Sequence, residues 1–89
     1  MDKHVGRLKR LVEGLPKVGP EGREAVISAE LQAVDDAFRR EKDALADAVH
    51  HYVAVRTRRA SAEERAILHR RAMDALGVLV AAVAHGERP

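Results

Sequence analysis

The chain contains no cysteine and almost no aromatic residues. Its 89 residues include one phenylalanine, one tyrosine and no tryptophan, against sixteen alanines. Without cysteine, a domain this small cannot be stabilised by a disulfide or a thiolate metal site. A core of alanine, valine and leucine suits closely packed helices. We therefore expect one all-helical domain over residues 1–89 that needs oligomerisation or a partner for stability.

Long hydrophobic runs are absent as well. The most apolar stretch, residues 75–84, is about half the length of a membrane span. The chain is charged from Asp2 onward and lacks the apolar segment of a secretion signal. We therefore expect a cytoplasmic protein that does not associate with membranes.

The net charge is only +2, but it is unevenly distributed. Residues 1–19 hold five basic and two acidic groups (net +3), residues 20–57 hold five and eight (net −3), and residues 58–89 hold six and four (net +2). The basic flanks would complement the acidic middle if they folded back on it. We interpret this pattern as an intramolecular match rather than a nucleic-acid-binding surface.

Glycine and proline are absent from residues 23–76, and this absence favours long helices. The spacing predicts a long helix 2 over residues 20–57, with Pro20 in its first turn. An apolar stripe follows it at helical steps: Ile27, Leu31, Val34, Phe38, Leu45, Val49 and Tyr52. Beside the stripe runs a ridge of small residues that would let another helix approach: Ala25, Ala29, Ala33 and Ala37.

The apolar stripe is interrupted at Glu41 and Lys42, where charged residues occupy positions that should be apolar. One interpretation is a polar layer that fixes the register of paired helices. The other is that helix 2 leaves the stripe at this point. The sequence does not decide between them.

A short helix 1 is predicted over residues 1–14. Gly14 is expected to end it in a left-handed conformation, and residues 15–19 form a linker that contains both proline and glycine. Its apolar positions step by three and four residues: Val5, Leu8, Val12 and Leu15.

Helix 3 is predicted over residues 61–85, where Ser61 and Glu64 have the spacing of a capping box. Its predicted seam is Ala62, Ala66, His69, Met73, Leu76, Val80 and Val83. From Leu76 onward the helix is apolar on nearly every face, so it should be covered on every side.

These lengths predict a long helical hairpin, because helices 1 and 3 together roughly match helix 2. A single hairpin is only two helices thick, which is too thin to bury a core. We therefore expect two chains to pair as a dimeric four-helix bundle.

The function predicted from this architecture is that of a non-enzymatic assembly or adaptor protein. It would self-associate, most simply as a homodimer, or dock on a larger protein. The predicted interface residues are Ile27, Leu31, Val34, Phe38, Leu76, Leu79, Val80 and Val83. Leu79→Asp should abolish assembly because it buries an unpaired charge.

The alternative function is that of a small dimeric nucleic-acid-binding regulator. An arginine-rich turn at residues 56–71 would hold phosphates through Arg56, Arg58, Arg59, Arg65, Arg70 and Arg71. No aromatic side chain is interleaved for base stacking, and Glu63 and Glu64 dilute the positive charge.

No catalytic motif, cofactor or metal is predicted. The candidate ligands that come nearest are Asp47, His50 and His69, which a hairpin turn near Ala60 would bring together. The Glu-x-x-His pairs of carboxylate-bridged bundles are missing, however. The competing interpretation makes His69 a hydrogen-bonded interruption of the seam and His50 a surface residue.

Overall fold

The computed structural model describes residues 3–17 and 20–86, and within them all regular structure is helical. Four α-helices follow along the chain: α1 (Lys3–Glu13), α2 (Pro20–Gln32), α3 (Arg39–Thr57) and α4 (Ala62–Gly86). A short 3₁₀ helix, Asp36–Phe38, lies between α2 and α3. The all-helical fold class is confirmed, but these residues form four helices rather than three.

The single helix predicted over residues 20–57 is wrong, because the chain breaks between Gln32 and Asp36. Asp35 is extended (φ −53°, ψ 136°), and its Oδ1 accepts a hydrogen bond from the Ala37 amide at 2.9 Å. An aspartate carboxylate in this position supplies an acceptor for an amide that has no helical partner, so it caps a new helix.

The break turns the chain back on itself, so α2 runs antiparallel to α3. His50 of α3 consequently lies 3.2 Å from Glu24 of α2. The helices pack in the cyclic order α1, α2, α3, α4, and α4 returns against α1. One chain therefore builds an up-down-up-down four-helix bundle by itself. This corrects the prediction that the monomer is a hairpin two helices thick, since no second chain is required to complete the bundle.

One hydrophobic core runs through the bundle, and each α-helix contributes to it. Its apolar side chains are at most 9% exposed: Val5, Leu8, Val12, Leu15, Ile27, Leu31, Val34, Leu45, Val49, Tyr52, Val53, Ala72, Leu76, Leu79 and Val83. The stripe predicted for helix 1 is buried throughout, and that of helix 2 is buried except at half-buried Phe38. Complete burial of one leucine or isoleucine is worth about 1.5–3 kcal/mol.

The left-handed residue that follows a helix is not the glycine that the sequence predicted. No glycine in the described residues has a positive φ, so Gly14 does not end α1 in a left-handed conformation. The left-handed residue is Arg59 (φ 59°), directly after α3. The Arg59 amide donates to the Arg56 carbonyl and the Ala60 amide to the Val55 carbonyl, at 3.1 and 3.2 Å. These two bonds form a Schellman motif that closes α3.

The start of α4 is capped as predicted, since the Glu64 amide donates to the Ser61 hydroxyl at 3.1 Å. Its seam is shifted relative to the prediction: α4 buries Ala72, Leu76, Leu79 and Val83. The far end of α4 reaches the chain break, where a Cβ on Gly86 would lie 2.8 Å from Phe38 Cζ. None of the helices in residues 3–17 and 20–86 is long and apolar enough to cross a bilayer.

Candidate functional site

The predicted interface lies inside the folded chain. Two of its residues, Phe38 and Val80, are half-buried, and the other six are at most 4% exposed: Ile27, Leu31, Val34, Leu76, Leu79 and Val83. Side chains that fill the core of their own chain cannot contact another protein while the bundle stays folded. Leu79→Asp would therefore disrupt folding and would not report on assembly.

The predicted alanine ridge is not a continuous helix surface. Ala25 and Ala29 lie on the exposed side of α2, whereas Ala33 and Ala37 fall in the break between α2 and α3. The exposed Val26 (48%) is the one large apolar residue beside the α2 part of this ridge.

The outer side of α4 carries an exposed stripe that the sequence reasoning did not single out. Its members step by four, three and four residues: Ile67, Arg71, Asp74 and Val78. Ile67 is 51% exposed and Val78 is 59% exposed, the largest values among the described large apolar residues. We call these four residues the outer stripe. The apolar end of α4 was predicted to be covered on every side, but within the single chain Val78 stays exposed. Ile67 belonged to no predicted seam or interface.

Small residues flank the outer stripe at its C-terminal end. Gly77, Ala81 and Ala84 are exposed, and a Cβ added to Gly77 would meet no atom within 4 Å. A glycine inside a helix costs about 1 kcal/mol relative to alanine. Packing within the chain does not require that glycine, so this part of α4 offers room for a second surface to approach closely.

The six arginines of the predicted nucleic-acid site do not form one surface. Arg56 is half-buried, and its Nη1 donates to the carbonyls of Leu15 and Pro16, both at 3.3 Å, so it ties α3 to the end of α1. Arg65 is also half-buried. The other four are exposed and have no ion pair with any described carboxylate: Arg58, Arg59, Arg70 and Arg71.

A notch of about 340 Å³ opens where the end of α1 meets the turn between α3 and α4. Its polar walls are Tyr52, Arg56, Arg65 and His69, and its apolar walls are Pro16, Ala62 and Ala66. None of these described lining residues is a carboxylate. The Nε of Arg65 is buried without a hydrogen-bond partner among the described residues. Leaving such a donor unpaired costs about 1–3 kcal/mol or more.

His69 is fixed in place by α1. Its Nε2 lies 2.9 Å from the Val12 carbonyl oxygen, and its ring lies 5.9 Å from the ring of Tyr52. A carbonyl oxygen only accepts hydrogen bonds, so Nε2 carries the proton.

The candidate metal ligands are not brought together. His69 is engaged with Val12, while His50 Nδ1 lies 3.2 Å from the Glu24 carboxylate. Asp47 is exposed on α3. Among the described residues, no three histidine, aspartate or glutamate side chains are grouped as metal ligands.

The Glu30 carboxylate joins α2 to α1. It accepts hydrogen bonds from His4 Nδ1 at 2.6 Å and from Arg7 Nη1 at 3.4 Å. The bond from His4 is the largest influence and holds the pKa of Glu30 below its usual 4.5, with Arg7 acting in the same direction and partial desolvation opposing both. This group stabilises the α1–α2 hairpin, which forms one wall of the bundle.

Neither a protein-family model, nor a curated protein, nor a solved structure matches this chain.

Proposed function

We propose that this protein is a non-enzymatic helical assembly module that pairs with a second copy of itself through the outer stripe of α4. The observation that carries the proposal is the exposure of Ile67 and Val78, at 51% and 59%, on one face of the longest helix. The four stripe residues have the alternating three- and four-residue steps by which helices pair. The residues first predicted to form the interface are covered by their own chain, and this favours an outer surface such as this stripe for pairing.

The pattern of the outer stripe is self-complementary. Antiparallel pairing about a two-fold axis between Arg71 and Asp74 places Ile67 opposite Val78 of the second copy. The same register places Arg71 opposite Asp74 of the second copy. Each contact occurs twice because the axis is a two-fold. Two apolar contacts thus flank two ion pairs, and the small residues beside Val78 allow close approach of the helices.

The test is a charge swap followed by measurement of mass in solution. Arg71→Asp or Asp74→Arg alone creates two like-charge contacts, so each should weaken dimerisation roughly tenfold. The double variant restores the opposite charges and should recover the affinity of the wild type. Val78→Asp should weaken pairing further, because it replaces an apolar contact with an unpaired charge.

Two control variants separate the stripe from general effects of charge. Arg40→Asp changes an exposed arginine of α3 that has no ion pair with the described residues, and Val26→Asp changes an exposed valine of α2. Neither should alter the dimer. If the double swap fails to recover pairing, or if the control variants weaken it equally, the proposed register is wrong.

A second candidate function is nucleic-acid binding through the exposed arginines near the α3–α4 turn. It is favoured by the absence of described carboxylate partners for Arg58, Arg59 and Arg70. Binding to duplex DNA should then fall steeply with salt and weaken in Arg58→Glu. No retardation of duplex DNA at low salt would remove this candidate.

A further inference from the structure

We propose that the notch between the end of α1 and the α3–α4 turn binds one oxyanion, a phosphate or carboxylate group of a small solute. The notch is distinct from the outer stripe, because none of its seven lining residues belongs to the stripe. It unites residues from α3, α4 and the segment after α1. Anion binding at the notch can therefore be tested independently of self-association.

The first feature of the notch that favours anion binding is its supply of hydrogen-bond donors. Arg65 lines the notch, and its buried Nε has no hydrogen-bond partner among the described residues. Arg56 also lines the notch, and its two hydrogen bonds to Leu15 and Pro16 both use Nη1. A guanidinium group has five N–H donors, so Arg56 is held in position with donors to spare. Two guanidinium groups that line one notch, one of them held in position, are suited to the oxygens of one anion.

The second feature is the positive charge of the residues that line the notch. Two arginines and no carboxylate are among the described residues that line the notch, so this described lining carries net positive charge. Ala62 and Ala66 belong to the first turns of α4, where the helix dipole adds further positive potential. Glu63 and Glu64, the acidic residues of that turn, are exposed and do not line the notch.

The third feature that favours binding of a small anion is the size of the notch. Its volume of about 340 Å³ lies at the lower end of the range for small-molecule sites. A single oxyanion with a small body fits such a space. Pro16, Ala62 and Ala66 provide apolar wall for that body, while Tyr52 and His69 are held by the core and by Val12.

The experiment follows the side-chain Nε–H signals of the full chain by proton–nitrogen correlation spectroscopy. Inorganic phosphate and acetate are titrated separately at neutral pH, with sodium chloride holding the ionic strength constant. We expect a saturable shift of the Arg65 Nε–H signal with a midpoint on the order of 1 mM for at least one anion. Saturation by phosphate alone would identify a phosphate ester as the ligand class, and saturation by acetate alone a carboxylate.

Variants of Arg65 then test the guanidinium itself. They lack the Arg65 signal, so the Nε–H signal of Arg56, which also lines the notch, reports binding in the wild type and in the variants. Arg65→Gln should weaken binding at least about tenfold, whereas Arg40→Gln, at an exposed arginine outside both the notch and the outer stripe, should change it less than about twofold. Arg65→Lys keeps the charge but loses the Nε–H, so it should bind nearly as weakly as Arg65→Gln. The proposal is overturned if the signal of the wild type shows no saturable shift with either anion. It is also overturned if Arg65→Lys binds the anion with the affinity of the wild type.

Discussion

Lys42 reaches back across the chain break and binds the carbonyl oxygen of Val34, with Nζ 2.7 Å from the oxygen. The same ammonium lies 3.1 Å from Asp36 Oδ1, and the Lys42 side chain is only 11% exposed. The break leaves the Val34 carbonyl without a helical partner, and Lys42 supplies the missing donor. Lys42, one of the charged residues that interrupt the apolar stripe, therefore stabilises the break. Neither interpretation of the sequence had included this role.

Replacement of Lys42 by methionine should destabilise the bundle by about 1.5–3 kcal/mol, the typical worth of a hydrogen bond to a charged group. Methionine retains most of the apolar stem, so the loss reports mainly on the ammonium group. Urea unfolding followed by circular dichroism measures the change. Arg40→Met is the control, since Arg40 is exposed and should lose less than about 0.5 kcal/mol. Equal stability of the two variants would contradict the role given to Lys42.

Replacement of Arg59 by glycine should stabilise the protein by about 0.5–1 kcal/mol. Arg59 has φ 59°, and a non-glycine residue pays about 1–2 kcal/mol for that conformation, part of which the flexibility of glycine in the unfolded chain offsets. The neighbouring Arg58→Gly is the matched control, because Arg58 has an ordinary φ of −84°. Thermal unfolding should show Arg59→Gly above the wild type and Arg58→Gly at or below it. The reverse order would show that the turn is not closed by Arg59.

The Glu30 carboxylate should make the stability depend on acidity. Its pKa is lowered in the folded chain, so its stabilising effect is complete above the usual value of 4.5 and is lost as the pH falls through the lower folded pKa. Glu30→Gln should therefore be less stable than the wild type above pH 4.5, and the difference should shrink on acidification. Urea titrations across this range test it. Glu63→Gln, at an exposed site without a described ion pair, should follow the wild type; a constant gap for Glu30→Gln would contradict the linkage.

The sequence predicted the buried faces far better than the path of the chain. The spacing of Val5, Leu8 and Val12 identified the core side of α1 because apolar periodicity records which residues are hidden from water. The same reasoning recovered Ile27, Leu31, Leu45 and Val49. Periodicity does not show whether two stretches belong to one straight helix or to two helices that share a core.

The break itself depended on a weak local signal. Asp35 is a residue type that favours the first position of a helix, and its carboxylate makes one hydrogen bond to the Ala37 amide. That preference is worth about 1 kcal/mol and was outweighed, in the sequence reasoning, by the regular apolar spacing on both sides. The stability gained when α2 packs against α3 could not be read from the local sequence.

The candidate sites were the part of the structure that was hardest to predict from the sequence. Leu76 and Leu79 were correctly expected to be hidden, but the sequence could not show that their own chain covers them. The notch joins Arg56 and Arg65, on the two sides of the α3–α4 turn, to Pro16, which lies 40 residues before Arg56. Such a juxtaposition follows from the packing of four helices, of which the sequence predicted only a part.

Sedimentation equilibrium of the wild-type protein over a wide concentration range tests the central claim most directly. The claim is that one chain forms a complete bundle, which then pairs weakly through α4. We expect a fully helical monomer of 9.8 kDa at low concentration and a reversible rise toward twice that mass as the concentration increases. A helical chain that stays at 9.8 kDa at every concentration would contradict self-association through the outer stripe.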